Sequence, residues 1–145
     1  MSAGGDRVGL AVEGTYALVG RGAPVYEQPL VGGSAPALFD NAAFSQRLAL
    51  PALPTGYRGG RQAAVARVLV GGVGVAGFTP YAAAVSAGER LGDWGRLVGL
   101  EQRFTGPFAP FARLPQARVV AGVARIFDAP LRNRTRGYLS VTFVP

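Results

Sequence analysis

The sequence predicts a mainly β protein with little helix, on three observations. Glycine and proline, 22 and 11 of 145 residues, interrupt the chain too often for long helices. The apolar runs are short and close on glycine or proline, as strands separated by turns do. The last run, Gly137 to Val144, alternates Tyr138, Ser140 and Thr142 with Leu139, Val141 and Phe143, the period-two mark of a strand with one buried face. Helix is expected to stay under about a fifth of the residues.

In chain order, Arg7–Gly14, Thr15–Gly20 and Ala23–Leu30 read as three short strands. Ser34–Gly60 offers one or two helical turns around Asp40 to Leu48. A proline-punctuated connector follows, in which Leu48, Leu50, Leu53 and Tyr57 either grip a neighbour or cover the chain's own core. From Arg61 the grammar becomes regular, with strands at Ala63–Val70, Arg96–Phe104, Ala117–Phe127 and Gly137–Val144. Between the middle pair, Thr105–Pro115 holds three prolines with Phe108 and Phe111, which makes it an irregular loop, either a core lid or a contact surface. The length and 49% hydrophobic content fit one domain, residues 1–60 forming an extended arm with short strands and 61–145 the core.

The composition narrows the chemistry. Histidine and cysteine are absent, which removes Ser-His-Asp and Cys-His arrangements, imidazole proton transfer, disulfides and cysteine or histidine metal sites. The eight carboxylates stand singly along the chain, lysine is missing as an activating base, and no G-x-S-x-G occurs. No catalytic residue and no metal site is expected.

One motif points the other way. Gly72, Gly74 and Gly77 in "VGGVGVAGFTP" have the G-x-G-x-x-G spacing that can cradle a pyrophosphate, with a strand upstream and Asp93 downstream at a suitable distance for a ribose. However, Phe78-Thr79-Pro80 delays any helix beyond the glycines, and Asp93 sits in a turn-like "GDWG". The glycines therefore read as a bend, with no cofactor.

All 15 basic residues are arginine and the formal charge is +7, which suits nucleic acid, an acidic membrane surface or an acidic protein. Only Pro130–Gly137 concentrates them, as Arg132, Arg134 and Arg136 in what reads as an exposed turn. Base-stacking aromatics are not interleaved with it, so a basic nucleic-acid-binding β-barrel is kept as the alternative. The amino terminus lacks a secretory pattern and no apolar run approaches about eighteen residues, so a soluble protein without a membrane partner is expected. Scarce methionine and absent cysteine suit a heat-exposed, thermostable protein.

Phe78–Leu100, "FTPYAAAVSAGERLGDWGRLVGL", resembles the core of the head decoration, or cement, proteins of tailed phages, the phage lambda decoration family. Thr79-Pro80 leads into an apolar strand, Ser86–Arg90 is a polar turn, Leu91 precedes Asp93-Trp94-Gly95, and Val98-Gly99-Leu100 is an apolar-Gly-apolar element. The basic turn at Arg132–Arg136 and the terminal strand resemble the family's carboxy-terminal end. The first sixty residues have no counterpart there.

The resemblance implies a small β-tulip-like barrel. It would assemble as a homotrimer on the outer surface of the virion, bind the major capsid protein and stabilise the shell against internal DNA pressure. Candidate capsid or trimer contacts are then Arg7 and, in the connector, Leu53, Tyr57, Arg58 and Arg61. Pro80, Tyr81 and Trp94 come from the matching segment, Phe108 and Phe111 from the loop, and Arg132, Arg134 and Arg136 from the turn. Trp94 is expected to be a buried or interface anchor, and Met1–Gly9 or Leu48–Arg61 to be a mobile arm that orders on the shell.

Overall fold

Residues 9–33, 47–71, 77–106, 116–128 and 131–144 are described by the structure, a computed structural model. Among them the only helical element is a three-residue 3-10 turn, Val25–Glu27, so the chain is mainly β. Six long strands form one antiparallel sheet: β1 (Gly9–Leu18), β5 (Gln62–Gly71), β6 (Thr79–Gly88), β7 (Gly95–Gly106), β8 (Gln116–Ile126) and β9 (Arg134–Val144), hydrogen-bonded in that order. Three two-residue strands, β2 (Leu30–Val31), β3 (Arg47–Leu48) and β4 (Arg58–Gly59), make a second sheet in the order β3-β2-β4.

The sheet is open. β1 and β9 are its edges and do not pair with each other, which corrects the expectation of a closed β-tulip-like barrel. Each neighbour in the sheet is antiparallel, and the described connecting residues include Glu89–Trp94 between β6 and β7 and the turn Leu131–Asn133 before β9. In the second of these, Asn133 takes a left-handed backbone (φ 61°), a conformation asparagine tolerates well.

Two sequence expectations change. Gly9–Leu18 is one ten-residue strand rather than two pieces, because Gly14 pairs with Ala66 in mid-ladder and the chain continues past it. Leu48, Leu50, Ala52 and Leu53 are buried in the core, so the connector covers its own domain and is not an arm. The expected helical turns at 40–48 and the arm at Met1–Gly9 lie outside the described residues, apart from Gly9, which opens β1, and Arg47–Leu48, which form β3.

The small sheet packs on one face of the large one. Val31, Leu48, Leu50 and Leu53 meet Ala63, Val65 and Leu69 of β5, Val85 of β6, Leu97 of β7 and Ile126 of β8 in a single apolar cluster. Proline has no N–H to donate, and the β5–β6 ladder stops at Leu69 with Tyr81, one residue short of Pro80, although Pro80 still pairs with Leu100 of β7.

Candidate functional site

In a strand alternate residues face opposite sides, so the register sorts the large sheet into two faces. The inner face carries the small sheet and, toward the Glu101 end, a charged network. Glu101 is 1% exposed and accepts hydrogen bonds from Arg67, from Arg103 Nε at 2.6 Å and from the Tyr138 hydroxyl at 3.0 Å. Arg103 also donates to both carboxylate oxygens of Glu13, at 2.7 and 3.0 Å. The Tyr81 and Tyr138 hydroxyls are 2.9 Å apart, and the Arg67 guanidinium lies 4.7 Å from the centre of the Tyr81 ring.

This network links β1, β5, β6, β7 and β9 across the inner face. Glycines make room for its tyrosines: a Cβ on Gly99 would stand 2.7 Å from the Tyr81 ring, and one on Gly122 would stand 2.6 Å from that of Tyr138. Hydrogen bonds from Arg103 hold the Glu13 carboxyl below the usual carboxylate range. Burial pushes both phenols up, and for Tyr138 the contact with Tyr81 adds to that. Beside the network, Glu13, Arg67, Arg103, Arg118 and Ser140 line a cavity of about 440 Å3 together with Ala49, Pro51 and Val120. Chemically, the carboxylate and guanidinium groups neutralise one another and tie strands together.

A second ion cluster fastens the small sheet. Arg58 of β4 pairs with Asp128 at 2.6 Å and donates to the Asp93 carbonyl oxygen at 2.7 Å, while the Tyr57 hydroxyl donates to Asp128 at 3.0 Å. Burial, then that bond, pushes the Tyr57 phenol up to about 12.

The outer face is largely apolar and, among the described residues, mostly exposed. Leu10, Val12, Tyr16 and Leu18 of β1, Val68 of β5, Val98, Leu100 and Phe104 of β7, Val123 of β8, and Leu139 and Val141 of β9 all point outward by register and are exposed, Val12 at 77% and Leu139 at 68%. The alternation in β9 was legible, but the buried side is the polar one: Ser140 is buried and Tyr138 half-buried. Tyr16, Trp94 and Phe127 stand at one end of this face and Phe104 toward the other. The outward charges, Arg96 and Arg125, lie near the Trp94 end.

The sequence-selected residues separate accordingly. Leu53 is 2% exposed and Tyr81 is buried, so both are core residues, not contact surfaces. Tyr57 and Arg58 bind Asp128 within the chain, and Arg61 lies 3.7 Å from Glu89. Pro80 is half-buried on the outer side of β6. Trp94 is 44% exposed and therefore not buried in the core.

Arg132 is exposed in the β8–β9 turn, while Arg134 and Arg136 belong to β9 on its inner side, so the three do not form one patch. Arg7, Phe108, Phe111, Gly72 and Gly74 lie outside the described residues. Gly77 leads into β6, an antiparallel strand and not the helix a dinucleotide loop requires.

Among the described residues no three of His, Cys, Asp and Glu are grouped to hold a metal ion, and no helix is long and apolar enough to cross a membrane. Comparison of the chain with protein-family models, curated proteins and solved structures finds no match. The outer face was missed because each of its strands looks ordinary by itself; the signal is that most outward positions of the six are apolar together.

Proposed function

We propose that this chain is a structural wall protein whose six-stranded sheet lies in a lipid bilayer, its outer face against hydrocarbon and its inner face, with the small sheet and the charged network, turned away from lipid. One observation carries the reading: a largely apolar face runs across the sheet, with large exposed side chains on five of its six strands, while the opposite side carries the apolar core under the small sheet and, beside it, charged, hydrogen-bonded groups. Exposed apolar patches of this extent mark an interaction surface. Apolar-out, polar-in alternation is the pattern of strands that cross membranes.

Strand length supports it. The six strands have 10 to 12 residues, against about 5 or 6 in most globular sheets, and a tilted strand needs about 9 to 11 to cross a bilayer. Aromatic side chains at both ends of the outer face suit the two interfaces. In hydrocarbon the free edges of β1 and β9 must be paired. Six alternating strands leave those two edges antiparallel to each other, so copies repeated around an axis close an all-antiparallel wall.

The test uses the absence of cysteine. Single cysteines at Val12, Val98 or Leu139, and at the inner Thr15 or Val120, are labelled with an environment-sensitive fluorophore and the protein is reconstituted into vesicles. Quenching by lipid-phase quenchers at the outer positions only is the expected result. A protein that stays in the aqueous phase, or outer probes quenched only from water, overturns the wall.

A second reading has its own support, the resemblance over Phe78–Leu100, whose strand-turn-strand order matches the β6–β7 hairpin. In it the same outer face is covered by the major capsid protein and by sister subunits of a trimer on the virion surface. Stoichiometric binding to expanded heads by a detergent-free trimer would favour it over the wall.

A further inference from the structure

The outer face is not uniform. Where β5, β6 and β7 meet, the outward side chains are small, and Ala66, Ala82 and Ala84 line a trough of about 690 Å3 together with Val68, Val98 and Phe127. Ligand sites are commonly of this size, largely apolar with a few polar groups. Here the polar groups are Arg96, Arg132 and Asn133. Arg58, Arg61, Arg67 and Arg103 all pair with carboxylates, whereas Arg96 and Arg132 make no ion pair among the described residues. The trough thus combines an apolar channel with two uncompensated cations.

We propose that this trough binds a membrane lipid with an anionic headgroup, its acyl chain along the alanines and its phosphate on Arg96 and Arg132. Guanidinium groups match phosphate oxygens two at a time, and basic pockets on membrane-facing surfaces select anionic headgroups. Asn133, whose amide can donate, joins them from the β8–β9 turn. Trp94, two residues before Arg96, is at the same end of the sheet, where an indole suits the headgroup level. The inference rests on the wall reading for the source of the lipid, but its chemistry belongs to the trough.

The experiment offers the detergent-solubilised protein equal amounts of phosphatidylglycerol and phosphatidylcholine and counts retained lipid by native mass spectrometry, with vesicle flotation run in parallel. The wild type is expected to prefer phosphatidylglycerol roughly tenfold or more, since each cation near an anionic headgroup favours it. The double variant Arg96→Gln, Arg132→Gln should lose that preference. Ala84→Phe, which fills the trough, should lower retention of both lipids, while Arg90→Gln in the β6–β7 turn should change nothing. Circular dichroism confirms that each variant keeps its strands.

Equal retention of both lipids by the wild type overturns the site, as does a preference that survives the double variant. Protein that floats with vesicles but shows no headgroup preference overturns the site and leaves the wall standing. Protein that does not float yet retains phosphatidylglycerol through the two arginines overturns the wall and supports the site.

Discussion

The two faces of the large sheet are built from alternate residues of the same strands and have opposite chemistry. Glu101 and Arg103 face inward from β7, and Leu100, between its neighbours Gly99 and Glu101, faces outward with Val98 and Phe104. Inside, apolar burial under the small sheet gives way to ion pairs that neutralise one another; outside, large apolar side chains remain exposed among the described residues. The difference teaches that alternation identifies the residues sharing a face but not which face is covered. Coverage depends on what the rest of the chain and its surroundings place there.

The comparison breaks most severely at Glu101. Glu101→Leu removes the carboxylate that Arg67, Arg103 and Tyr138 share, and leaves Arg67 charged in a largely buried position. Losing one partner of a buried pair costs about 3–5 kcal/mol, which denaturant titration should resolve as an earlier midpoint with an unchanged slope. A loss below about 0.5 kcal/mol, the scale of a surface change, would show the network to be solvated.

The outer face gives the next largest effect, and one that depends on the solvent. Leu100→Arg places a charge midway along β7 on the apolar face, between Pro80 and Val123. In a bilayer it should cost about 2–4 kcal/mol, whereas in water an exposed site should change by no more than about 0.5 kcal/mol either way. Unfolding of the reconstituted and lipid-free proteins side by side checks this. Equal small effects in both media would remove the distinction between the faces.

The smallest effect sharpens the inner side through pH. Tyr57 titrates at about 12 in the fold against an ordinary value of 10.0, so the fold prefers its neutral form. Its contribution is complete below pH 10.0 and is lost as pH rises toward about 12. Tyr81 and Tyr138 are raised as well and act in the same direction. Tyr57→Phe should therefore flatten the alkaline fall in melting temperature over that window, followed by ultraviolet titration of tyrosinate. An unchanged alkaline profile would place the fall elsewhere.

Much of the strand framework was legible locally. The expected runs Arg96–Phe104 and Ala117–Phe127 match Gly95–Gly106 and Gln116–Ile126 within two residues, because long apolar runs bounded by turn residues have few alternatives. β2, β3 and β4 were not legible, since strands of two residues exist only through their partners. Of the contact residues chosen from sequence, Arg132 is exposed beside the trough, while Leu53 and Tyr81 are in the core. Aromatic and apolar residues in a proline-rich context look the same whether they cover their own core or another surface.

By itself, the sequence determined the β class, the near-absence of helix, the polar turns and the face-sharing partners within each strand, because backbone sterics and residue periodicity act over a few positions. Only the tertiary structure decided that Gly9–Leu18 joins β5 across some fifty residues, that the sheet stays open, that Glu101 is buried with two arginines, and that leucines and valines of five of the six strands share an exposed face. Those facts depend on register between distant segments, and register is set by the summed packing of whole faces, which no single stretch contains.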